Sequence, residues 1–198
     1  FPNGSFKWGE GNFLVRSRQL FADNGLMAVV VDAPSDRQRA PFLNGFRQTE
    51  EHAADLKATI AWARATAKVP VWLVGTSRGT QSAAYAATVL QGADAPDGVV
   101  LTATILADDK QRPVPAMPLE HIKVPVLVVH HQQDGCSYCA YSEIPNLMAK
   151  LTHTPRSHLI TATGGKNQGD ACAAFAHHGF NGLEADVVGQ MADWILAP

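Results

Sequence analysis

Short apolar segments that alternate with helical patterns restrict the fold of this chain more than any other feature. Continuous apolar runs predict strands buried on both faces, as in parallel sheets. Predicted strands lie at 27–31, 71–74, 99–103, 124–129 and 157–161. Helical patterns lie between and around them, at about 12–23, 49–67, 78–90, 144–151 and 183–196. The alternation predicts one α/β domain over residues 1–198, with a mostly parallel sheet covered by helices on both faces.

Size, charge and hydropathy exclude several classes of protein. A chain of 198 residues with 46% hydrophobic content suits one domain with a substantial core. Its net charge of -2 and the absence of a basic stripe argue against a nucleic-acid partner. No apolar run approaches the roughly 20 residues of a membrane helix, so no membrane partner is expected. No G-x-G-x-x-G opens a helix after a strand, which excludes a dinucleotide-binding oxidoreductase.

The sequence GTSRG at 75–79 is a G-x-S-x-G motif between a predicted strand and a predicted helix. A tight turn in this context holds the serine in a strained backbone conformation. Gly75 and Gly79 would leave room where side chains would clash. The helix N-terminus places backbone N–H groups beside the hydroxyl. We therefore predict that Ser77 is a nucleophile and that the Arg78 N–H is one oxyanion donor; an ordinary serine in a glycine-rich turn is the alternative.

A serine hydroxyl is a weak nucleophile, so it needs a histidine base that an acid orients. Asp134 follows the strand at 124–129, at the edge where ligands bind in parallel sheets, and is the predicted acid. Asp108 and Asp109, after the strand at 99–103, are the alternatives. His178, in the loop before the last helix, is the predicted base, and the neighbouring His177 is its rival.

Two pairs of adjacent histidines raise the question of a metal site. The pairs are His130-His131 and His177-His178. Adjacent side chains point in different directions, and no H-E-x-x-H or thiolate pattern accompanies them. We therefore predict no catalytic metal, and the proposed chemistry requires no cofactor. One of His130 or His131 is expected to support the acid loop.

Three motifs together resemble those of the α/β-hydrolase superfamily, over nearly the whole chain. They are GTSRG around Ser77, VPVLVVHHQQD up to Asp134, and HHGFNG around His178. The resemblance is closest to small bacterial hydrolases and implies an ester or related acyl bond of a small or polymeric substrate, cleaved through an acyl-enzyme. Peptidases, thioesterases and acyltransferases use the same triad, and a catalytically silent binding or scaffold protein can share the fold.

The resemblance also has implications for the N-terminal region. It implies an oxyanion loop within residues 1–5, with Gly4 or Ser5 offering the second N–H. In the family, a further strand lies between those at 27–31 and 71–74. We therefore expect residues upstream of Phe1, or a second chain, to complete the sheet, because buried backbone groups need partners. No long insertion separates 99–103 from 124–129, where family lids arise, so an open site is expected.

The three cysteines lie close in sequence to the predicted acid and base. Cys136 and Cys139 follow Asp134, and Cys172 precedes His178. If the acid and base meet, a disulfide from Cys172 to Cys136 or Cys139 would link their two loops. Such a bond would indicate an oxidising compartment and favour the periplasm or secretion. Small buried thiols in a cytosolic protein are the alternative.

Overall fold

A parallel four-stranded sheet forms the centre of the computed structural model, which describes residues 9–197. Its strands are β1 (Trp72–Thr76), β2 (Gly98–Thr102), β3 (Val126–His131) and β4 (Ser157–Ala162). They lie side by side in the order β1-β2-β3-β4, and all neighbours run parallel. Every residue of β2 and β3 is buried, which explains why these strands are continuous apolar runs in the sequence.

Six α-helices accompany the sheet in the described residues. They are α1 (Phe13–Arg16), α2 (Arg18–Asp23), α3 (Glu50–Ala67), α4 (Gly79–Val89), α5 (Ile144–Ala149) and α6 (Glu184–Leu196). Thr49 caps α3, since its hydroxyl accepts a hydrogen bond from the His52 N–H at 3.2 Å. The single helix predicted over 12–23 is divided at Ser17. None of the helices within residues 9–197 combines the length and apolar character required to cross a membrane.

The two faces of the sheet carry separate hydrophobic cores because neighbouring strand residues point to opposite sides. Val99 and Leu101 of β2 pack with α4 and α5 on one face. Val100, between them, packs with α1, α2 and α6 on the other. Helix α3 packs outside α4. The predicted α/β class, with a parallel sheet and helices on both faces, is confirmed.

The strand predicted at 27–31 is absent, and that prediction was wrong. The segment has no regular secondary structure, and Met27, Val29 and Val31 are 55%, 42% and 53% exposed. A strand requires a neighbour whose N–H and C=O groups face its own. Among the described residues, β1 pairs with β2 and with no other segment, so 27–31 does not join it. The predicted completion of the sheet by further residues stays a prediction.

Candidate active site

Ser77 lies on a tight turn between β1 and α4. Its φ is 50°, in the left-handed region that non-glycine residues rarely adopt, and its N–H donates to the Thr102 carbonyl at 3.0 Å. A Cβ on Gly75 would lie 2.5 Å from the Gly79 carbonyl oxygen, so this position requires glycine. A Cβ on Gly79 would meet nothing within 4 Å of it, so the predicted steric need for the second glycine was wrong.

Asp134 and His178 form a buried hydrogen-bonded pair. His178 Nδ1 lies 2.9 Å from Asp134 Oδ2, and the Cys136 N–H donates to Asp134 Oδ1 at 2.9 Å. The two residues are only 9% and 4% exposed. Because a carboxylate accepts hydrogen bonds, this contact assigns the proton to Nδ1 and leaves a lone pair on Nε2. That is the tautomer a general base requires.

Ser77 and His178 both lie beyond the carboxyl end of β2. The Ser77 N–H bonds Thr102, and the Cys139 thiol donates to the next carbonyl, that of Ala103, at 3.4 Å. Cys139 Sγ is in turn within 4.8 Å of a ring nitrogen of His178. Within residues 9–197, the buried His178 Nε2 has no hydrogen-bond partner, so the structure does not join it to the Ser77 hydroxyl. Such contacts often form only when substrate binds, and the triad stays a prediction.

His177, the rival base, belongs to a different cluster. Its ring stacks on His131 with centroids 4.2 Å apart, and its Nδ1 lies 3.2 Å from the Gln133 carbonyl oxygen. His131 Nε2 contacts the Gly164 carbonyl at 3.0 Å. Of the two adjacent histidines at 177 and 178, the structure therefore pairs only the second with the predicted acid.

His130 is the histidine that contacts the acid loop. Its Nε2 donates to the Cys139 carbonyl at 2.7 Å and lies 3.5 Å from Asp134 Oδ2. The ring is fully buried, and this burial lowers the pKa of His130 despite the nearby carboxylate. A neutral ring with its proton on Nε2 therefore lies beside the same carboxylate oxygen, Oδ2, that His178 contacts.

Asp108, an alternative acid, pairs with the Arg78 side chain instead of a histidine. Burial opposes its ionisation, but hydrogen bonds from the Lys110 N–H and from Arg78 together lower the pKa of Asp108. Asp109, the other alternative, is exposed. The Arg78 guanidinium also lies 4.9 Å from the centre of the Tyr138 ring.

The predicted oxyanion donors are only partly described. Arg78 directly precedes α4, and the backbone hydrogen bonds among residues 9–197 leave its N–H unused. This N–H is therefore free to stabilise negative charge beside Ser77. Gly4 and Ser5, the predicted second donors, lie outside the described residues.

Arg16 is a supporting residue that the sequence did not indicate. Its guanidinium donates to the Gly179 carbonyl at 2.5 Å and to Glu184 Oε1 at 2.9 Å. The Phe13 and Phe180 rings pack beside it with centroids 4.8 Å apart. Helix α1 is thereby attached to the loop that carries the predicted base. No local pattern signals this role, since its partners lie at the other end of the chain.

The cysteines lie directly beside the acid and base. Cys136 and Cys172 are at disulfide-bonding distance, 2.03 Å between sulfurs, which supports one of the two pairings left open by the sequence. Cys139 is a buried free thiol, and its burial, with the charge of Asp134, raises the pKa of Cys139 far above its usual value. Cys136, Cys139 and His178 also have metal-ligating atoms within 4.8 Å of one another.

Comparison with solved structures identifies the architecture. A cold-adapted esterase from an Arctic intertidal metagenomic library superposes with a TM-score of 0.59 at 17% identity, over 91% of this chain and 78% of that one. A putative α/β hydrolase from Agrobacterium tumefaciens gives 0.55 at 15% identity, over 94% and 77%. A serine hydrolase without a lid from Xanthomonas campestris gives 0.50 at 17% identity, over 96% and 77%.

These matches show that the chain shares the fold of α/β hydrolases, as the resemblance of its motifs implied. Comparison with protein-family models and with curated proteins gave no match. At sequence identities of 15–17%, these superpositions show a shared architecture alone. The chain therefore has the α/β-hydrolase fold, and its chemistry has to be argued from its own residues.

Proposed function

We propose that this chain is a serine hydrolase that cleaves an ester or related acyl bond through an acyl-enzyme. The observation that carries the proposal is the buried 2.9 Å contact between Asp134 and His178. Ser77, whose φ of 50° is that of a strained turn, gives further support. A buried acid that fixes the histidine tautomer and a serine on such a turn are the groups that nucleophilic catalysis uses.

The proposed reaction assigns each proton to a named atom. Ser77 Oγ attacks the acyl carbon while its proton passes to His178 Nε2, the lone pair that has no partner in the described residues. The Arg78 N–H stabilises the developing oxyanion, with Gly4 or Ser5 proposed as the second donor. His178 then protonates the leaving group, and a water deprotonated by the same nitrogen releases the acid and regenerates Ser77.

Two supports would hold the acid and base in position during this cycle. Asp134 accepts from the Cys136 N–H on one oxygen and lies between His178 and His130 on the other. We propose that the Cys136–Cys172 disulfide joins the acid loop to the base loop in the working enzyme. Groups already in place lower the reorganisation that the reaction requires.

A fluorophosphonate probe tests the nucleophile directly. We expect stoichiometric labelling of the folded protein, complete loss of labelling in Ser77→Ala, and retention in the matched control Ser142→Ala, which alters an exposed serine. Unlabelled protein should also hydrolyse chromogenic esters and lose this activity on labelling, and thioester and peptide panels would separate the other acyl reactions. Failure of well-folded protein to react with any probe or ester would favour a silent binding or scaffold protein.

A further inference from the structure

Three side chains with zinc-binding donors converge beside the proposed base. The sulfurs of Cys136 and Cys139 and a ring nitrogen of His178 lie within 4.8 Å of one another, and all three residues are buried. Thiolate and imidazole are the donors that Zn²⁺ prefers in proteins. In the oxidised chain Cys136 is bonded to Cys172, so its sulfur is not available as a thiolate ligand.

We propose that reduction of the Cys136–Cys172 disulfide creates a Zn²⁺ site from Cys136, Cys139 and His178, and that zinc bound there stops hydrolysis. The proposed zinc binding is argued from the positions of the donor atoms alone. The inhibitory part rests on the proposed hydrolase function, since it depends on His178 acting as the base.

The geometry of the three donors suits a tetrahedral metal after a small contraction. With Zn–S near 2.3 Å and Zn–N near 2.0 Å, ligand atoms in a tetrahedral site lie about 3.5–3.8 Å apart. The three donor atoms lie within 4.8 Å of one another here, so they must move about 1 Å closer together to bind zinc. Cys136 and Cys139 are separated by two residues, a spacing common in zinc sites, and the Cys139 N–H bonds the Cys136 carbonyl at 2.8 Å, which places both on one turn.

A second observation concerns a ring nitrogen of the same histidine. His178 is 4% exposed, yet its Nε2 has no hydrogen-bond partner among the described residues. A buried polar atom without a partner is costly, so a ligand there is favoured. A water completes the tetrahedral site, so Cys172 is not required as a ligand.

The redox and proton balance needs one external reagent, a dithiol or phosphine reductant. A phosphine gives two electrons to the disulfide and takes the oxygen of one water to become its oxide, while the two protons of that water complete the Cys136 and Cys172 thiols. A dithiol supplies the electrons and the protons itself and becomes a cyclic disulfide. Zn²⁺ then displaces the protons of Cys136 and Cys139 to solvent and takes the lone pair of a neutral His178 nitrogen.

Zinc bound through either ring nitrogen of His178 would prevent this residue from acting as the base. If Nε2 is the ligand, the lone pair that would accept the Ser77 proton belongs to the metal. If Nδ1 is the ligand, the 2.9 Å contact with Asp134 is lost and the ring leaves its catalytic orientation. The oxidised chain lacks the Cys136 thiolate and should be insensitive to zinc.

The experiment compares four proteins after removal of metal: oxidised wild type, wild type reduced with a phosphine that does not compete as a thiol ligand, Cys172→Ser and Cys139→Ser. Zinc binding is measured by equilibrium dialysis, and Co²⁺ serves as a spectroscopic substitute that reports tetrahedral thiolate ligation. Ester hydrolysis is measured in parallel, each protein relative to its own metal-free rate.

We expect reduced wild type to bind an equimolar amount of zinc and oxidised wild type to bind none. Cys172→Ser, which cannot form the disulfide, should bind zinc without reductant. Reduced Cys139→Ser should bind zinc at least about a hundredfold more weakly. Loss of an outer-shell partner lowers metal affinity about 10–100-fold, and loss of a direct ligand should lower it more. Hydrolysis should fall about tenfold at zinc concentrations ten times Kd, by mass action.

Equal zinc binding by reduced wild type and reduced Cys139→Ser, or no binding by reduced wild type, would overturn the site. If the metal binds with the spectrum of tetrahedral thiolate ligation but ester hydrolysis is undiminished, the proposed inhibition by zinc is wrong. Absence of hydrolysis in every metal-free protein would count against the proposed function alone, since dialysis and the cobalt spectrum still decide the metal site.

Discussion

Replacing Asp134 with asparagine isolates the contribution of the acid to the orientation of the base. The amide oxygen can keep the hydrogen bond that Oδ1 accepts from the Cys136 N–H, so the loop should retain its shape. The amide nitrogen, in the place of Oδ2, donates to His178 Nδ1 where the carboxylate accepted its proton. The imidazole must then carry its proton on Nε2, where it cannot accept the proton of Ser77.

The expected size of the effect follows from this change of tautomer. The equivalent substitution in another serine hydrolase lowers kcat by about 10⁴, or about 5.4 kcal/mol at 1.36 kcal/mol per tenfold. The Cys136 N–H opposes relief by rotation of the amide, because rotation would place the amide nitrogen against this donor, 2.9 Å from the Oδ1 position. We therefore expect kcat for a chromogenic ester to fall by about 10³–10⁴, with little change in KM.

The matched control is Asp108→Asn, the same chemical change at the alternative acid. Asp108 pairs with the Arg78 side chain and not with a histidine, so a loss of less than about tenfold in kcat is expected there. Steady-state kinetics and thermal denaturation of both variants give the comparison. A loss below tenfold in well-folded Asp134→Asn, or a larger loss in Asp108→Asn, would refute the assignment of the acid.

Three further substitutions test the turn, the base loop and a buried histidine. Gly75→Ala should lower the free energy of unfolding by about 3 kcal/mol or more, since its Cβ would lie 2.5 Å from a carbonyl oxygen. Arg16→Met should lower it by about 1–3 kcal/mol and reduce kcat, because the Gly179 carbonyl loses its donor. His52→Leu should flatten the pH dependence of stability below about pH 6.5, by up to 1.4 kcal/mol per pH unit. Urea denaturation measures all three.

The sign of the His52 effect follows from its environment. Burial lowers the pKa of His52, and neither ring nitrogen has a partner among residues 9–197. The unfolded chain therefore binds more protons, and stability is lost as the pH falls from about 6.5 towards the lowered pKa. An unchanged slope in His52→Leu would contradict this. Gly79→Ala and Arg39→Met, which alters an exposed arginine, are the matched controls for the other two variants; if either destabilises as much as its partner, the structural reasoning is wrong.

The four strands of the observed sheet were predictable because each is a short apolar segment between helical patterns. The segment at 27–31 has the same composition and yet forms no strand. Composition reports the preference of a segment for burial, whereas a strand also needs a neighbour with free backbone groups. Sequence patterns in one segment carry no information about that neighbour.

The candidate site was accessible from the sequence where its signals were local. The turn at Ser77 combines a strand, a motif and a helix within a few residues, and the pairing of Asp134 with His178 followed from the order of motifs. The sequence also indicated that His130 or His131 supports the acid loop, and the structure places His130 beside the acid. The support from Arg16 to Gly179 was not predictable in the same way, because it depends on how distant segments pack and no spacing in the sequence encodes it.

Capture of the acyl-enzyme tests the central claim most directly. The protein is mixed with an activated ester, quenched in acid during turnover, and analysed by intact mass and peptide mapping. We predict an adduct with the mass of the acyl group on the peptide that contains Ser77, formed with a burst of leaving group and absent in Ser77→Ala. Turnover without any adduct, or an adduct and turnover that persist in Ser77→Ala, would contradict the account.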